Sequence, residues 1–432
     1  MDLFVLGIFC LSLLVCILSG LPIAGALSLG LILFLLYGRA QGFSWGELGR
    51  MLKKGVSPVL NILITFLLIS MLTALWRAAG TIPVLVAYAS PLIRPALFLP
   101  MAFWLNCLLS FLTGTSFGTA STMGVICAAM GNALHVSPVL TGGAVLSGAF
   151  FGDRCSPVST SALLVATLTG TDIYRNIRAM VRTARLPFLA SSLLFLLLGV
   201  LMPHEGPILS GRDSFAAVNL HPLALVPALL ILVLALWKVP IKRTMTGSVL
   251  AALPLCLFLQ DMSIPEVART ALLGYHPADP QLAALLSGGG IVSMLEVALI
   301  VLISSSYSDL FQETGLLEGP HRLLAAFSAK AGAYAGVLAT SLVTGLLACS
   351  QTLTILLAHQ LCQKENQDPE RLALDLEDTA VVVSPLIPWS IAGAVPLSVI
   401  GAPRISILAS FYLILLPLLR LIEDRKKGEV RI

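Results

Sequence analysis

The sequence contains little charge. Of its 432 residues only 11% are Asp, Glu, Lys or Arg, 57% are hydrophobic, and the mean hydropathy is +0.95. A soluble domain carries roughly 25% charged residues, so this composition excludes an ordinary soluble protein. It indicates an all-α polytopic membrane protein, because a chain in hydrocarbon must satisfy its backbone hydrogen bonds internally.

The sequence also lacks the motifs of several other protein classes. Its eight cysteines show no CxxC and no Cys/His metal spacing, which argues against a disulfide framework or a zinc site. It has no P-loop pattern of Gly, four residues and Gly-Lys, and no nucleophile elbow. We therefore expect neither ATP hydrolysis nor another enzymatic activity, no cofactor, and no metal beyond a transported ion.

Long uncharged stretches predict roughly eleven to thirteen membrane segments, at about 20 apolar residues each. The first stretch, Leu3 to Gly38, would be about 54 Å long as one helix, nearly twice the hydrocarbon thickness. We therefore expect two helices there, divided at Gly20-Leu21-Pro22. Only Met1 and Asp2 precede this stretch and no small-residue cleavage site follows, which favours a retained anchor over a signal peptide.

The net charge of +4 comes from basic residues in the loops between apolar stretches, so it indicates membrane orientation and no nucleic-acid partner. By the positive-inside rule, four basic clusters and both chain ends are predicted to be cytoplasmic, in the cell membrane. The clusters are Arg39, Arg50, Lys53 and Lys54; Arg175, Arg178, Arg182 and Arg185; Lys238, Lys242 and Arg243; and Arg425, Lys426 and Lys427.

The chain contains a weak internal repeat. The segment VLNILITFLLISMLTALWRAAGTIP from Val59 resembles MLEVALIVLISSSYSDLFQETGLLE from Met294. At nearly the same spacing, GTSFGTAST from Gly114 matches ACSQTLT from Ala348, and GDRCSP from Gly152 matches EDTAVVVSP from Glu377. The first copy begins at a predicted cytoplasmic loop and the second at an external one, which indicates an inverted-topology repeat. The predicted units are an N-terminal helix pair (1–56), the first repeat (57–203), connecting helices (204–279), and the second repeat with a cytoplasmic tail (280–432).

Prolines at matching places predict breaks in the membrane helices. Pro157 follows Ser156, and Pro385 follows Ser384, with Pro388 close behind. A proline disfavours helix at the preceding residue and removes a donor, which leaves carbonyls and a hydroxyl free to bind a cation or a small polar substrate. We expect a broken or re-entrant helix pair in the second copy and a comparable hairpin at Ser156 to Thr171. The alternative is that each Ser-Pro merely kinks a structural helix.

Four acidic residues near these breaks are candidate cation or proton carriers. Asp153 stands beside Arg154, while Glu377 and Asp378 follow a run rich in charge, so a solvated position competes with a functional one. Glu296 lies between two uncharged runs, where an acid is a functional candidate by default, unless Gly288-Gly289-Gly290 moves the helix end outward. Candidate neutral ligands are Thr115, Ser116, Ser156, Ser159, Ser161, Ser350, Gln351 and Ser384.

These segments resemble the signature regions of the NhaC-type sodium/proton antiporters. The resemblance is carried by GTSFGTASTMGV, SGAFFGDRCSPVSTSALLVATLTGTDIYRNIRAM, LEDTAVVVSPLIPWSIAGAV and ALWRAAGTIP, in order from about Val59 to the C-terminus. It implies inverted repeats with re-entrant hairpins, an acidic site inside the membrane and, in many relatives, a homodimer. Where the family commonly has Asp and Asn after the first Ser-Pro, this chain has Thr160 and Leu163, and Cys349-Ser350-Gln351 replaces a Gly-Asp-Gln.

The sequence therefore predicts a secondary active transporter in the lipid bilayer, most simply a sodium/proton antiporter that works by alternating access. Proton exchange needs a titrating group, and Arg154 would hold Asp153 ionised unless it turned away. The missing acids also fit a sodium- or proton-coupled transporter or exchanger of a small organic solute, such as an amino acid or a carboxylate, with Arg154 meeting the carboxylate. A channel is a less favoured third class, because an inverted pair suits alternating access.

Overall fold

The computed structural model describes residues 2–57, 59–89, 92–202, 215, 218–237, 239–316, 318–363 and 368–429. Apart from one isolated bridge between Tyr275 and Gly288, the regular structure in these ranges is helical, which confirms the predicted fold class. Residues 203–214, 216 and 217, at the start of the predicted connecting helices, lie outside the described residues, as does Lys238 of the third basic cluster.

The N-terminal helix pair has the predicted break. Helix α1 covers Asp2–Ser19 and α2 covers Ile23–Ala40, so Gly20-Leu21-Pro22 lies between them. The pair packs on the second half of the chain through an aromatic cluster of Phe9, Phe34, Tyr307 and Phe311. The basic helix α3 (Trp45–Val56) follows, and a capping box between Ser44 and Glu47 starts it.

The remaining helices are grouped by the predicted units in which they lie, and the two predicted repeats are called the first and second copy. The first copy contains α4 (Val59–Ala78), α5 (Thr81–Ala89), α6 (Pro95–Thr113), α7 (Ser116–Thr119), α8 (Val125–Ala133), α9 (Pro138–Cys155), α10 (Thr160–Thr169) and α11 (Ile173–Leu201). The connection contains α12 (Val226–Leu236), α13 (Ile241–Pro254) and α14 (Ile264–Leu273). The second copy contains α15 (Pro280–Leu286), α16 (Leu295–Ser306), α17 (Ser308–Glu313), α18 (Glu318–Ala331), α19 (Ala333–Ala348), α20 (Gln351–Cys362), α21 (Pro369–Asp378), α22 (Ala380–Val383), α23 (Ile391–Ile400) and α24 (Phe411–Glu429).

Within the described ranges, five helices are long and apolar enough to cross a membrane, or up to seven if each of two bent pairs is one span. This is fewer than the roughly eleven to thirteen segments predicted at about 20 residues each. The difference arises because several apolar stretches are divided into shorter helices: α19, for example, has 16 residues and ends where the chain reverses at Cys349.

Each copy contains a helical hairpin and a broken helix, and in the first copy α4 and α5 form a further bent pair with an angle of 62° between them. The first hairpin consists of α6, α7, a π-helical turn at Ala120–Gly124 and α8, and Gly131 near its end returns to pack on Phe98 near its start. The second hairpin consists of α19 and α20. The first broken helix is α9 with α10, and the second is α21 to α23, in which the part up to Leu386 is bent by 52° from α23.

The breaks predicted at Ser156-Pro157 and at Ser384-Pro385 are confirmed, but the hairpin predicted at Ser156 to Thr171 is wrong. That segment holds the break and then a single helix, α10, which ends at the left-handed residue Gly170. Ten residues of helix extend only about 15 Å, too few to turn back within the segment. The hairpin of the first copy lies earlier in the chain, with its tip at Gly114.

Candidate functional site

The tips of the two hairpins are built alike. Helix α6 ends at Gly114 with φ +64°, and the Thr115 hydroxyl then accepts a hydrogen bond from the Gly118 amide to cap α7. In the second copy Cys349 has φ 54°, and the Ser350 hydroxyl accepts from the Leu353 amide to cap α20. A left-handed residue followed by a capping hydroxyl reverses the chain in both copies.

The two broken helices also correspond. Ser159 caps α10 by accepting from the amides of Ser161 and Ala162, and Ser390 caps α23 by accepting from the Ala392 amide. Both α10 and α23 contain 10 residues and end at a left-handed glycine. Pro157 lies in the first break, Pro385 in a short 3-10 turn at Ser384–Leu386, and Pro388 just after that turn. The symmetry inferred from the sequence therefore extends to the local structure of the breaks.

Each hairpin tip touches the break of its own copy. A Cβ atom on Gly114 would lie 2.6 Å from the carbonyl carbon of Val158 and 2.7 Å from the Ser159 nitrogen, so backbone meets backbone there. In the second copy the Ile391 amide donates to the Cys349 carbonyl at 2.9 Å. The four helix interruptions thus form two contacting pairs, and the residues around Asp153 join one pair to the other.

Asp153 is buried and surrounded by neutral donors. Its Oδ1 accepts from the Ser159 hydroxyl at 3.1 Å and its Oδ2 accepts from the Gln351 amide nitrogen at 3.2 Å. The Ser116 side chain lies within electrostatic reach of this carboxylate, and the Ser161 hydroxyl donates to the Asp153 carbonyl at 3.0 Å. The structure therefore brings five of the predicted residues together, and they come from both copies. We call these five side chains the Asp153 cluster: Asp153, Ser116, Ser159, Ser161 and Gln351.

Arg154 turns away from its neighbour Asp153. Its guanidinium forms a very short ion pair with Asp378 and donates to the Thr183 hydroxyl at 2.7 Å, to the Met180 carbonyl at 3.1 Å and to the Tyr412 hydroxyl at 3.3 Å. The sequence left open whether Arg154 pairs with its neighbour Asp153 or turns away from it. It turns away, because its guanidinium pairs with Asp378 instead.

Asp378 is held between two guanidinium groups. Its second oxygen pairs with Arg420 Nε at 2.8 Å, and Arg420 also reaches Asp375 at 3.5 Å. Arg371 extends the chain of charges, because it contacts Asp375 at 3.7 Å and Asp424 at 2.8 Å. We call this set the ion-pair chain: Arg154, Asp378, Arg420, Asp375, Arg371 and Asp424. It ties α9, α21 and α24 together and places Asp378 apart from the hydroxyls around Asp153.

Glu377 is the buried acid without a partner. Its side chain is fully buried, and neither of its carboxyl oxygens has a hydrogen-bond partner among the described residues. It lies within electrostatic range of Arg154, Asp153 and Asp378, although it forms no ion pair with Arg154. A buried carboxylate that is neither hydrogen-bonded nor paired is strongly unfavourable, so this group requires neutralisation by a proton or a cation.

The other candidate ligands serve local structure or lie elsewhere. The Ser156 hydroxyl donates to the Phe111 carbonyl at 2.7 Å, and the Ser384 hydroxyl donates to the Ala380 carbonyl at 2.7 Å. Thr115 and Ser350 are helix caps. Glu296 is exposed in the first turn of α16 and pairs with Arg404 at 3.0 Å, so the structure does not bring it to the Asp153 cluster. The outward shift that the three glycines suggested accounts for this position.

Sequence reasoning missed the residues that hold Asp378. Arg420 on α24 and Thr183 on α11 contact Asp378, and Tyr412 on α24 contacts its partner Arg154; all three lie outside the helices that carry Asp378 and Arg154. Arg420 carried a usable signal, because it is a single cation after the apolar run from Phe411 to Leu419. Among the described residues, no group of three or more His, Cys, Asp and Glu side chains could hold a metal ion.

Comparison with known proteins identifies the family to which the chain belongs. The sequence profile of the Na+/H+ antiporter family matches residues 2–173 and 151–421. The chain belongs to this family. It is a multi-pass membrane protein of a transporter family, and the two matched ranges overlap at residues 151–173, the segment that contains Asp153 and the first break.

Individual relatives of the family carry different names. The chain is 28% identical over 426 residues to the malate-2H(+)/Na(+)-lactate antiporter of Bacillus subtilis, covering 95% of this chain and 90% of the relative. It is 28% identical over 400 residues to the Na(+)/H(+) antiporter NhaC of the same organism, covering 88% and 87%. It is also 28% identical over 434 residues to the arginine/ornithine antiporter ArcD of Halobacterium salinarum, covering 92% and 89%.

Proposed function

We propose that this protein exchanges sodium for protons across the cell membrane by alternating access, with sodium bound at the Asp153 cluster and the proton carried by Glu377. The observation that carries the proposal is the unpartnered, fully buried Glu377 carboxyl group. Such a group is stable only when a proton or a cation neutralises it, so gain and loss of its proton can be coupled to an event in the site. Membership of the Na+/H+ antiporter family supports the same chemistry.

The surroundings of Asp153 support its assignment as the sodium ligand. Sodium is a hard cation that prefers oxygen ligands, and the hydroxyls of Ser116, Ser159 and Ser161 stand beside the carboxylate with the Gln351 amide. Only neutral donors satisfy the carboxylate among the described contacts, so a cation that enters competes with hydrogen bonds and not with an arginine. We assign the remaining candidates, Thr115, Ser156, Ser350 and Ser384, to shaping the breaks.

Asp378 is assigned a structural role in this proposal. It is held by Arg154 and Arg420, and a buried ion pair of this kind is costly to break because the remaining charge is left buried without a partner. The pairing with Asp378 also leaves Arg154 unavailable to neutralise Asp153. The two carriers are then Asp153 for the ion and Glu377 for the proton.

Purified protein in liposomes with a trapped pH dye tests the proposal. Addition of sodium is expected to evoke proton movement in the unchanged chain and in Glu296→Gln, which removes an exposed acid outside the site. The same pulse is expected to evoke none in Asp153→Asn or Glu377→Gln. Full sodium-evoked flux in Glu377→Gln, with the protein folded by its thermal transition, would refute the assignment of the proton carrier.

A second candidate function is the exchange of a small organic solute. It is favoured by a cavity of about 430 Å³ beside the first hairpin tip, which is larger than a bare ion requires. Two of the relatives are named for malate and lactate or for arginine and ornithine. Exchange of labelled malate, lactate, arginine or ornithine by the same liposomes, without sodium-evoked proton movement, would favour this function over sodium/proton antiport.

The topology of the proposal follows the basic clusters. Both ends of the chain are assigned to the cytoplasm, and reporter fusions at each end that are active only in that compartment test the assignment. The homodimer implied by the resemblance is tested separately, by cross-linking in native membranes. Two ends on opposite sides would require an odd number of crossings and would overturn the assigned orientation.

A further inference from the structure

Four arginines lie on one face of α11 (Ile173–Leu201), the longest helix of the described residues. They follow one another at intervals of three and four residues, which aligns them along the helix. Their side chains are all exposed. We call them the arginine stripe: Arg175, Arg178, Arg182 and Arg185.

The same face of α11 continues as a row of apolar side chains. The part of the helix from Leu186 to Leu201 rises about 24 Å, which is most of the roughly 30 Å of a hydrocarbon core. Four apolar residues there keep the spacing of the arginines, and the exposed fraction of each is between 45% and 65%. This face of α11 therefore contacts lipid, and the arginine stripe begins where the hydrocarbon ends. The four residues are Leu189, Leu193, Leu197 and Val200.

Most of the charge of the arginine stripe is not neutralised by the protein. At the start of the helix, Arg175 pairs with Glu370 at 3.2 Å. Arg178, Arg182 and Arg185 form no ion pair with any residue that the structure describes. Like charges three and four residues apart on a helix repel one another. An anion from outside the protein would remove this repulsion.

We propose that the arginine stripe binds an anionic phospholipid, with the headgroup phosphate at Arg182 and Arg185 and the acyl chains along the apolar row. A guanidinium binds phosphate through two parallel hydrogen bonds, and a long basic side chain at the end of a membrane helix extends its charge toward the headgroups. The arginines belong to a segment predicted to be cytoplasmic, and the cytoplasmic leaflet carries the anionic lipids. The surface thus matches the partner both in charge and along the apolar row.

The inner face of the same turn of α11 contacts the ion-pair chain. Arg154 donates to the Thr183 hydroxyl at 2.7 Å and to the Met180 carbonyl at 3.1 Å. Arg182 precedes Thr183 in the chain, but its side chain is exposed on the lipid side. A lipid bound at Arg182 therefore holds the turn that positions Arg154. Because a ligand of the folded state stabilises it, the lipid is expected to raise the midpoint of thermal unfolding.

A lipid titration of the purified protein in a neutral detergent tests the proposal. Fluorescent phosphatidylglycerol is added and its anisotropy is followed, and phosphatidylcholine with the same chains provides the zwitterionic comparison. The test variant is Arg182→Gln/Arg185→Gln, which keeps the pair of Arg175 with Glu370. The matched control is Arg50→Gln/Lys53→Gln, which removes two exposed cations from the basic helix α3, so that both variants have the same net charge. The unfolding midpoint without lipid checks that each variant is folded.

The unchanged chain and the control variant are expected to bind phosphatidylglycerol more tightly than phosphatidylcholine. The test variant is expected to lose about thirtyfold in affinity for phosphatidylglycerol, or on the order of 2 kcal/mol for two basic residues near the membrane surface. The rise in unfolding midpoint on addition of this lipid is expected to disappear with it. Equal affinity of the two variants for phosphatidylglycerol overturns the proposal, and so does displacement of the lipid by an equal concentration of inorganic phosphate.

A second copy of the chain is the other occupant that the apolar row could accept. Leu193→Cys places a thiol in the middle of this row, and oxidation in native membranes reports whether two copies meet there. The variant is expected to form no more disulfide-linked dimer than the unsubstituted chain. A dimer that appears only with Leu193→Cys overturns the lipid assignment.

Discussion

Asp153 on α9 and Asp378 on α21 are two buried aspartates on corresponding broken helices, and their surroundings are opposite. Hydroxyls and an amide surround Asp153, whereas two guanidinium groups hold Asp378. Neutral donors satisfy a carboxylate without fixing its charge state, so an ion can replace them. Guanidinium groups fix the charge and, with it, the packing of the helices that carry them. Under the proposed function, the partners of the two aspartates, and not their burial, distinguish the exchange site from the structural link.

The largest expected effect is on stability, from breaking the ion-pair chain. Asp378→Asn leaves Arg154 fully buried without its counter-ion, and removal of one member of a buried pair costs about 3–5 kcal/mol. We expect a large fall in the midpoint of thermal unfolding in detergent. The control is Glu370→Gln, which breaks an exposed pair with Arg175 worth about 0–1 kcal/mol. Equal midpoints for the two variants would contradict the structural role of Asp378.

Glu377, the residue before Asp378, tests whether a buried acid without an ion pair has a different role. Glu377→Gln removes no hydrogen bond or ion pair, so its unfolding midpoint is expected to stay close to that of the unchanged chain. Sodium-evoked proton movement is expected to disappear, while exchange of labelled sodium for unlabelled sodium continues, because the cation site is intact. Loss of both activities in a stable protein would assign Glu377 to cation binding instead.

A smaller effect is expected on the affinity for sodium. Asp153→Asn keeps the size of the side chain but removes the charged ligand, and an interaction with a charged group is worth about 1.5–3 kcal/mol. The apparent sodium affinity is then expected to fall about ten- to hundredfold, with the fold retained. Isothermal titration calorimetry of sodium into the purified protein measures this affinity without requiring transport. An unchanged titration would exclude Asp153 as a ligand.

The smallest expected effect is the loss of a helix cap, and it distinguishes Ser159 from Ser390. Ser159→Ala and Ser390→Ala each remove a helix cap, at a cost of about 1 kcal/mol of stability. Only Ser159 also hydrogen-bonds a carboxylate, so only Ser159→Ala is expected to change the sodium affinity. Equal changes in affinity for both variants would indicate that the cap, and not the hydroxyl beside Asp153, determines binding.

Local features of the fold could be predicted from the sequence because prolines and capping hydroxyls act within a few residues. The division at Gly20-Leu21-Pro22 and the break at Ser156-Pro157 are of this kind. The tip at Cys349 was harder to place, since a non-glycine residue occupies the left-handed position and no proline marks it. The partner of Arg154 could not be predicted, because Asp378 is 224 residues away and only the packing of α9 on α22 and α24 brings the pair together.

Five of the predicted site residues proved to be neighbours, but the sequence did not separate the roles of the acidic candidates. Asp153 and Asp378 were equal candidates, and their difference depends on Arg420, which is distant in the chain. Glu296 looked like a membrane acid because its neighbours are apolar, yet α16 begins just before it and places it beside Arg404. A run of apolar residues specifies a helix but not the exact residue at which it leaves the membrane.

The contact at Gly114 has a consequence for variation at this position. Its φ of +64° is one that side-chain-bearing residues rarely adopt, and the backbone of Val158 and Ser159 occupies the space that a Cβ atom would need. Alanine is ordinarily a mild replacement. Here its Cβ atom would clash with backbone atoms, which cannot move aside as the end of a flexible side chain can. The close contact between the first hairpin tip and the first break thus depends on the absence of a side chain at Gly114.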